Sequence, residues 1–190
     1  MAVTVFTWDM FKIGPHFGVG HAAMHVHGPQ GNVYISFWPA EHSLSKAMLS
    51  TGKIHFMRGD KEEDGMPSWA SAPITNLDEG RIVDFWKAFD LSPSLDYRGA
   101  GSRNVTKPNE GGKKYNILLY QCSTTVVRAL WHGADEALRR RIETWLAVNA
   151  GTNFDVPLIG AVKSSIFGAR IPTVTPADVR EMVCYIWGGE

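Results

Sequence analysis

Apolar and polar residues follow one another along the chain in patterns that predict a mixed α+β fold. Residues 2–8 alternate as in a half-buried strand. Two further β-like stretches, 21–26 and 33–38, flank the segment Gly28-Pro-Gln-Gly-Asn32, whose residue types favour a turn. This arrangement is typical of a β-hairpin that begins at His21.

Other segments are predicted to be loops or short strands. Residues 9–20 are expected to form a loop, and short strands are expected between Leu44 and Met57, with a turn at Gly52. The polar stretch 58–65 is predicted to be a solvated loop. Residues 98–114 contain almost no apolar side chains and an excess of positive charge, which fits either a flap over a site or a plain solvated loop.

Four segments have the periodicity of helices. They are residues 78–90, residues 123–131 after a strand-like run at 115–121, residues 134–149, and the C-terminal segment from Thr175. In the last of these, Thr175 is the expected N-cap, Pro176 occupies the first helical position, and an apolar stripe follows.

Composition limits the classes of function. A chain of 190 residues, 44% of them hydrophobic, predicts one domain over residues 1–190 that folds alone as a monomer. Nineteen basic and nineteen acidic residues cancel, which argues against nucleic-acid binding. The chain has no apolar run long enough to predict a membrane span, and the N-terminal residues lack the features of a Sec signal.

Cys122 is the strongest candidate for a reactive group. It stands where the strand-like run meets a helix, and the partial positive charge of a helix N-terminus favours a thiolate. The alternative is an inert buried cysteine. The chain has one other cysteine, Cys184, which lies off the stripe of the last helix and is interpreted as structural; a bridge between the two would block the nucleophile.

His21 is the candidate general base, because a glycine-rich approach delivers it to the start of the hairpin. His21, His25 and His27 do not predict a metal site, since His21 and His25 would lie about 13 Å apart at about 3.3 Å per residue. We expect neither a metal nor another cofactor.

The residue that orients His21 is less sharply defined by the sequence. Ser36 shares a strand face with Tyr34 and Trp38, and it is the first candidate; Glu41 and His42 are the reserves, and a bare Cys–His dyad is the other possibility. Trp38, beside the hairpin, is the tryptophan expected to contact substrate.

These residues carry a resemblance to a known superfamily. The segment Tyr115-Asn-Ile-Leu-Leu-Tyr-Gln-Cys122 is similar to the Tyr-x-Leu-Leu-x-x-Asn-Cys pattern of the circularly permuted papain-like enzymes, in which the histidine hairpin precedes the cysteine helix. That superfamily includes NlpC-type cell-wall peptidases, the lecithin:retinol acyltransferase group and deSUMOylating isopeptidases. Gln121 stands where Asn is usual, and it joins Trp38 as a candidate for substrate binding.

Three phrases more particularly resemble the TseH-like type VI secretion effectors: Gly20-His-Ala-Ala23, Ile35-Ser-Phe-Trp-Pro39 and Thr175-Pro-Ala-Asp-Val-Arg180. The resemblance implies an antiparallel sheet with the histidine hairpin packed against the cysteine helix. It also implies a cysteine hydrolase, an amidase or endopeptidase, delivered from the cytoplasm by the type VI apparatus into the periplasm of rival cells. Peptidoglycan peptides are the implied substrate, and an immunity protein and a type VI secretion carrier are the implied partners.

Two alternatives stay open at this point. One is a thiol acyltransferase or lipase that acts on membrane lipids, because some superfamily members transfer acyl groups between lipids. The other is a binding module without catalysis, in which Cys122 is merely buried.

Overall fold

A computed structural model describes residues 2–9, 12–13, 16–17, 20–28, 31–39, 50–87, 106–108, 114–115, 121–150 and 174–188. Within these residues the chain is mixed α+β, with antiparallel strand pairing and five α-helices. The reserve candidates Glu41 and His42 lie outside the described residues, as does most of the 98–114 segment.

The first sheet holds the predicted hairpin. It comprises β1 (Ala2–Trp8), β4 (His21–Gly28), β5 (Gly31–Ile35) and β8 (Trp69–Ala70), in the order β5-β4-β1-β8. All described pairs are antiparallel, and the register places Trp8 opposite His21. The predicted strand at residues 2–8 and the hairpin start at His21 are confirmed. The predicted loop at 9–20 contains two short paired strands, β2 (Lys12–Ile13) and β3 (His16–Phe17).

A second sheet continues from the hairpin after Ser36. It comprises β6 (Phe37–Pro39), β7 (Ser50–His55), β9 (Thr106–Pro108) and β10 (Lys114–Tyr115). β7 is paired with each of the other three strands. The expected turn at Gly52 is wrong, because Gly52 lies inside β7 opposite Pro39. β9 lies within the 98–114 segment, so part of that segment is a strand paired with β7.

The five helices are α1 (Met57–Asp64), α2 (Glu79–Lys87), α3 (Cys122–Gly133), α4 (Glu136–Trp145) and α5 (Pro176–Trp187). A π-helical turn, Leu146–Ala150, continues α4. The four predicted helices are confirmed in their described parts, and in α5 the Thr175 side chain accepts from the backbone N–H of Asp178 as an N-cap. α1 corrects the prediction of a solvated loop at 58–65.

The two faces of the first sheet have different roles. On β4, Ala22, Met24 and Val26 face the main core, where α3 packs against the strand. Alternation puts His21 and Ala23 on the opposite face, and Ala23 belongs there to a smaller apolar cluster with Trp8, Tyr34 and Phe56. Phe56 immediately precedes α1, so this cluster seats α1 beside His21. No helix in the described part of the chain is long and apolar enough to cross a membrane.

Candidate active site

The candidate site is centred on the carboxylate of Asp60, which α1 carries into the protein interior. Asp60 is completely buried. A buried carboxylate is tolerated when its oxygens are hydrogen-bonded, and five side chains lie within hydrogen-bonding distance of this one. They are Tyr34, Ser36 and Trp38 from the hairpin and β6, together with His21 and His55.

The two carboxylate oxygens have different partners. Oδ2 accepts from the Tyr34 hydroxyl at 2.7 Å and lies 3.3 Å from Nε2 of His21. Oδ1 accepts from the Ser36 hydroxyl at 3.0 Å and from the Trp38 indole N–H at 2.9 Å. His55 contacts the same oxygen through Nδ1 at 3.0 Å. Asp60 is therefore held in one orientation, with Oδ2 towards His21.

His21 is placed by its position as the first residue of β4 and by aromatic neighbours. Its ring lies 4.3 Å from the ring of Trp38 and 5.2 Å from that of Trp8, measured between centroids. Nε2 also lies 3.0 Å from Oγ of Ser36. Because the single hydroxyl proton of Ser36 goes to Asp60, His21 is the donor in this contact. Nε2 therefore carries a proton.

Cys122 is the first residue of α3, and its side chain lies close enough to that of His21 for the two groups to interact through charge and hydrogen bonding. The backbone of Ala22 and the hydroxyl of Ser123 also hydrogen-bond to the sulfur; Ser123 Oγ lies 3.9 Å from it. The thiol is 4% exposed and His21 is 2% exposed. The predicted meeting of Cys122 with His21 is thus found in the fold.

Charges in the site favour a thiolate paired with an imidazolium. Burial alone would raise the pKa of Cys122, but the charge of His21, its hydrogen bond and those from Ala22 and Ser123 outweigh burial and lower it. Burial alone would lower the pKa of His21, but Asp60 and Cys122 raise it to about 10. Burial would raise the pKa of Asp60, yet His21 and His55 hold it well below its usual range.

Sequence reasoning missed Asp60. Ser36 does contact His21, as expected of the orienting residue, but a carboxylate that can carry the compensating charge lies beside it. The segment of α1 looked like a solvated loop because its only buried residues are Gly59 and Asp60. One signal was present. Asp60 stands four residues after Phe56, and residues four apart lie on the same face of a helix. A helix that starts at Phe56 therefore places Asp60 on the side of the apolar cluster.

The two candidates for substrate binding lie in different surroundings. Trp38 is partly buried, and its indole N–H points inward to Asp60 and Ser36. Gln121 is buried, and its side-chain amide donates to the carbonyl oxygen of Val174 at 2.7 Å. Its backbone N–H bonds to the hydroxyl of Thr124, which caps the start of α3. Gln121 thus anchors the N-terminus of the cysteine helix to the residue before the Thr175 cap.

Cys184, His25 and His27 are the other described groups that the sequence offered for chemistry. Cys184 is a free thiol on α5, as Cys122 is on α3. Among the described residues, no group of three or more His, Cys, Asp or Glu side chains could hold a metal ion. His25 and His27 lie against each other, with ring centroids 3.8 Å apart. No family model, curated protein or solved structure matches this chain, so the site is interpreted from its own geometry.

Proposed function

We propose that the chain is a cysteine hydrolase in which Cys122 is the nucleophile and His21 the general base and acid. Asp60 orients the His21 ring and balances the positive charge of its imidazolium form. One observation carries the proposal: a single imidazole interacts with a thiol at a helix start and also contacts a buried carboxylate at 3.3 Å. Nucleophile, base and orienting group in this order are the arrangement that activates a thiol for acyl transfer.

The proton positions support this assignment. Because Nε2 of His21 carries a proton for Ser36 and Asp60, Nδ1 is the nitrogen left to receive the proton of Cys122. The resulting thiolate attacks a carbonyl carbon, and a carbon–sulfur bond forms as the carbonyl electrons move to oxygen. The backbone N–H of Cys122, at the start of α3, stabilises that oxyanion. His21 then protonates the leaving amine, and it later deprotonates the water that hydrolyses the thioester.

The order in which the strand of His21 and the helix of Cys122 occur along the chain supports a permuted papain-like version of the α+β fold. The strand that carries the base precedes the helix that carries the nucleophile, and α3 packs against β4. Delivery by a type VI apparatus, action on peptidoglycan peptides in the periplasm and an immunity partner are narrower proposals. They depend on the resemblance of the sequence, whereas the hydrolase depends on the site.

The test compares wild type with Cys122→Ala, and Cys184→Ala serves as the matched control that removes the other thiol. Each protein is directed to the periplasm of a Gram-negative host, and purified sacculi treated with each are examined by mass spectrometry. Wild type and Cys184→Ala are expected to kill and to release new peptide termini, and Cys122→Ala to do neither.

Two results would redirect or end the proposal. Release of fatty acid from phospholipid vesicles by wild type, with unchanged muropeptides, would replace the amide substrate by a lipid ester. Full toxicity of both Cys122→Ala and His21→Ala would show that the chain acts without this chemistry, as a binding module.

A further inference from the structure

A second imidazole lies on the far side of the Asp60 carboxylate. His55, the last residue of β7, is completely buried, and its Nδ1 lies 3.0 Å from Oδ1 of Asp60. His21 faces the other oxygen, Oδ2. The carboxylate therefore lies between two histidines, only one of which contacts the nucleophile.

Contacts of His55 fix its own position. Its ring stacks on that of Trp38, with centroids 4.9 Å apart and planes at 21°. Its backbone N–H donates to the carbonyl oxygen of Ser36 at 3.3 Å. Because an ionised carboxylate can only accept, Nδ1 of His55 carries the proton in its contact with Asp60. Nε2 lies 3.8 Å from Oε2 of Glu63.

We propose that His55 is a positioning residue of this site: its Nδ1–H holds Oδ1 of Asp60, so that Oδ2 stays directed at His21. The inference rests on the proposed function, since it assigns a role relative to the Cys122–His21 pair. His55 acts through Asp60 and does not contact the reacting sulfur.

The direction of the effect follows from this contact. The hydrogen bond from His55 is one of the interactions that lower the pKa of the buried Asp60. Without it, Asp60 accepts a proton more readily, and only Ser36 and Trp38 remain to hold Oδ1 in place. A neutral or misdirected Asp60 stabilises the His21 imidazolium less, and the Cys122 thiolate then forms only at higher pH.

Other titratable groups around Asp60 must be separated from His55 in the test. His21 and Cys122 belong to the pair itself, and Glu63 and Asp64 lie further along α1. Burial chiefly raises the pKa of Asp64 to about 6; the charge of His21 opposes this, and Asp60 and Glu63 add to it. Asp64→Asn is therefore the control that removes this nearby acid, which titrates within the pH range of the measurement.

The experiment measures the Cys122 thiolate directly by its ultraviolet absorbance as a function of pH, using the full chain with Cys184 replaced by Ser. Subtraction of the spectrum of the Cys122→Ser protein isolates the one thiol. His55→Phe keeps a ring against Trp38 but removes the donor, whereas His55→Asn restores an amide N–H near the position of Nδ1. Circular dichroism checks that each variant is folded.

His55→Phe is expected to raise the midpoint of thiolate formation by about one pH unit, a tenfold change, as suits the loss of one hydrogen bond to a charged group. His55→Asn is expected to return the midpoint to near wild type, and Asp64→Asn, which removes only a charge interaction with His21, to shift it by less than His55→Phe does. If folded His55→Phe has the wild-type midpoint, or if His55→Asn is shifted as far as His55→Phe, the positioning role is wrong. Should His55→Phe not fold, His55→Leu, which also lacks the donor, takes its place with the same expected midpoint.

The same data distinguish failure of this inference from failure of the proposed function. A wild-type midpoint at the ordinary value for a free thiol, about 8.5, would show that the Cys122–His21 pair itself is not activated. A low wild-type midpoint that His55→Phe leaves unchanged would overturn only the role of His55.

Discussion

Replacement of Asp60 by Asn is the sharpest test of the site, because it removes one negative charge and almost no volume. With Oδ2 at 3.3 Å from Nε2 of His21 and an effective dielectric constant of about 20, the attraction between carboxylate and imidazolium is about 5 kcal/mol. The amide keeps a polar contact with His21, so we expect roughly half of this energy, about 2.5 kcal/mol, to be lost from the ion pair.

That loss converts into nearly two pH units, or a fall of about seventyfold in the thiolate fraction at a pH below the wild-type midpoint. The amide also presents its NH₂ group to neighbours that themselves donate, so the free energy of unfolding should fall by about 3 kcal/mol. Thiolate absorbance against pH measures the first effect, and denaturant unfolding at neutral pH measures the second.

Ser36→Ala is the matched comparison, because it removes the other group in contact with Nε2 but leaves the charge. It should shift the thiolate midpoint by less than about half a pH unit, as expected for one neutral hydrogen bond. The reasoning is refuted if Asp60→Asn leaves the midpoint unchanged while folded. It is also refuted if Ser36→Ala shifts the midpoint as far as Asp60→Asn does, since Ser36 would then be the orienting group.

Two further predictions concern stability. Gln121→Leu removes the hydrogen bond to the Val174 carbonyl and should lower the free energy of unfolding by about 1–2 kcal/mol in denaturant titrations, with an unchanged thiolate midpoint; a loss of turnover at full stability would instead favour substrate binding. The raised pKa of His21, about 10 against 6.5, stabilises the fold fully below pH 6.5 and is lost as pH rises towards about 10. Unfolding at a series of pH values should show this decline in wild type and its absence in His21→Asn.

The parts of the fold that follow from sequence are those with a strong local pattern. α5 was predictable because Thr175 and Pro176 mark its start and an apolar stripe marks its buried face. The β4 hairpin was predictable from the turn residues after Gly28. The pairing of Cys122 with His21 was implied by the resemblance to the permuted papain-like order, in which the histidine hairpin precedes the cysteine helix.

What could not be predicted depends on contacts between distant segments. α1 has no apolar stripe, and Asp60 is buried because Phe56 and the aromatic residues of β1 and β5 seat the helix against the hairpin. Apart from the spacing of four residues from Phe56, nothing local distinguishes Asp60 from the acids that follow it. The role of Gln121 likewise depends on Val174, which lies 53 residues away.

The dispersed origin of the site has a consequence for when the thiol becomes reactive. His21 stands 101 positions before Cys122, and Asp60 stands 62 positions before it. In an extended chain neither group is near the sulfur, which then behaves as any solvent-exposed cysteine does. Nucleophilicity is thus acquired only once the hairpin, α1 and α3 have come together. Iodoacetamide labelling of Cys122 at mildly acidic pH would consequently report completed folding of newly made chains.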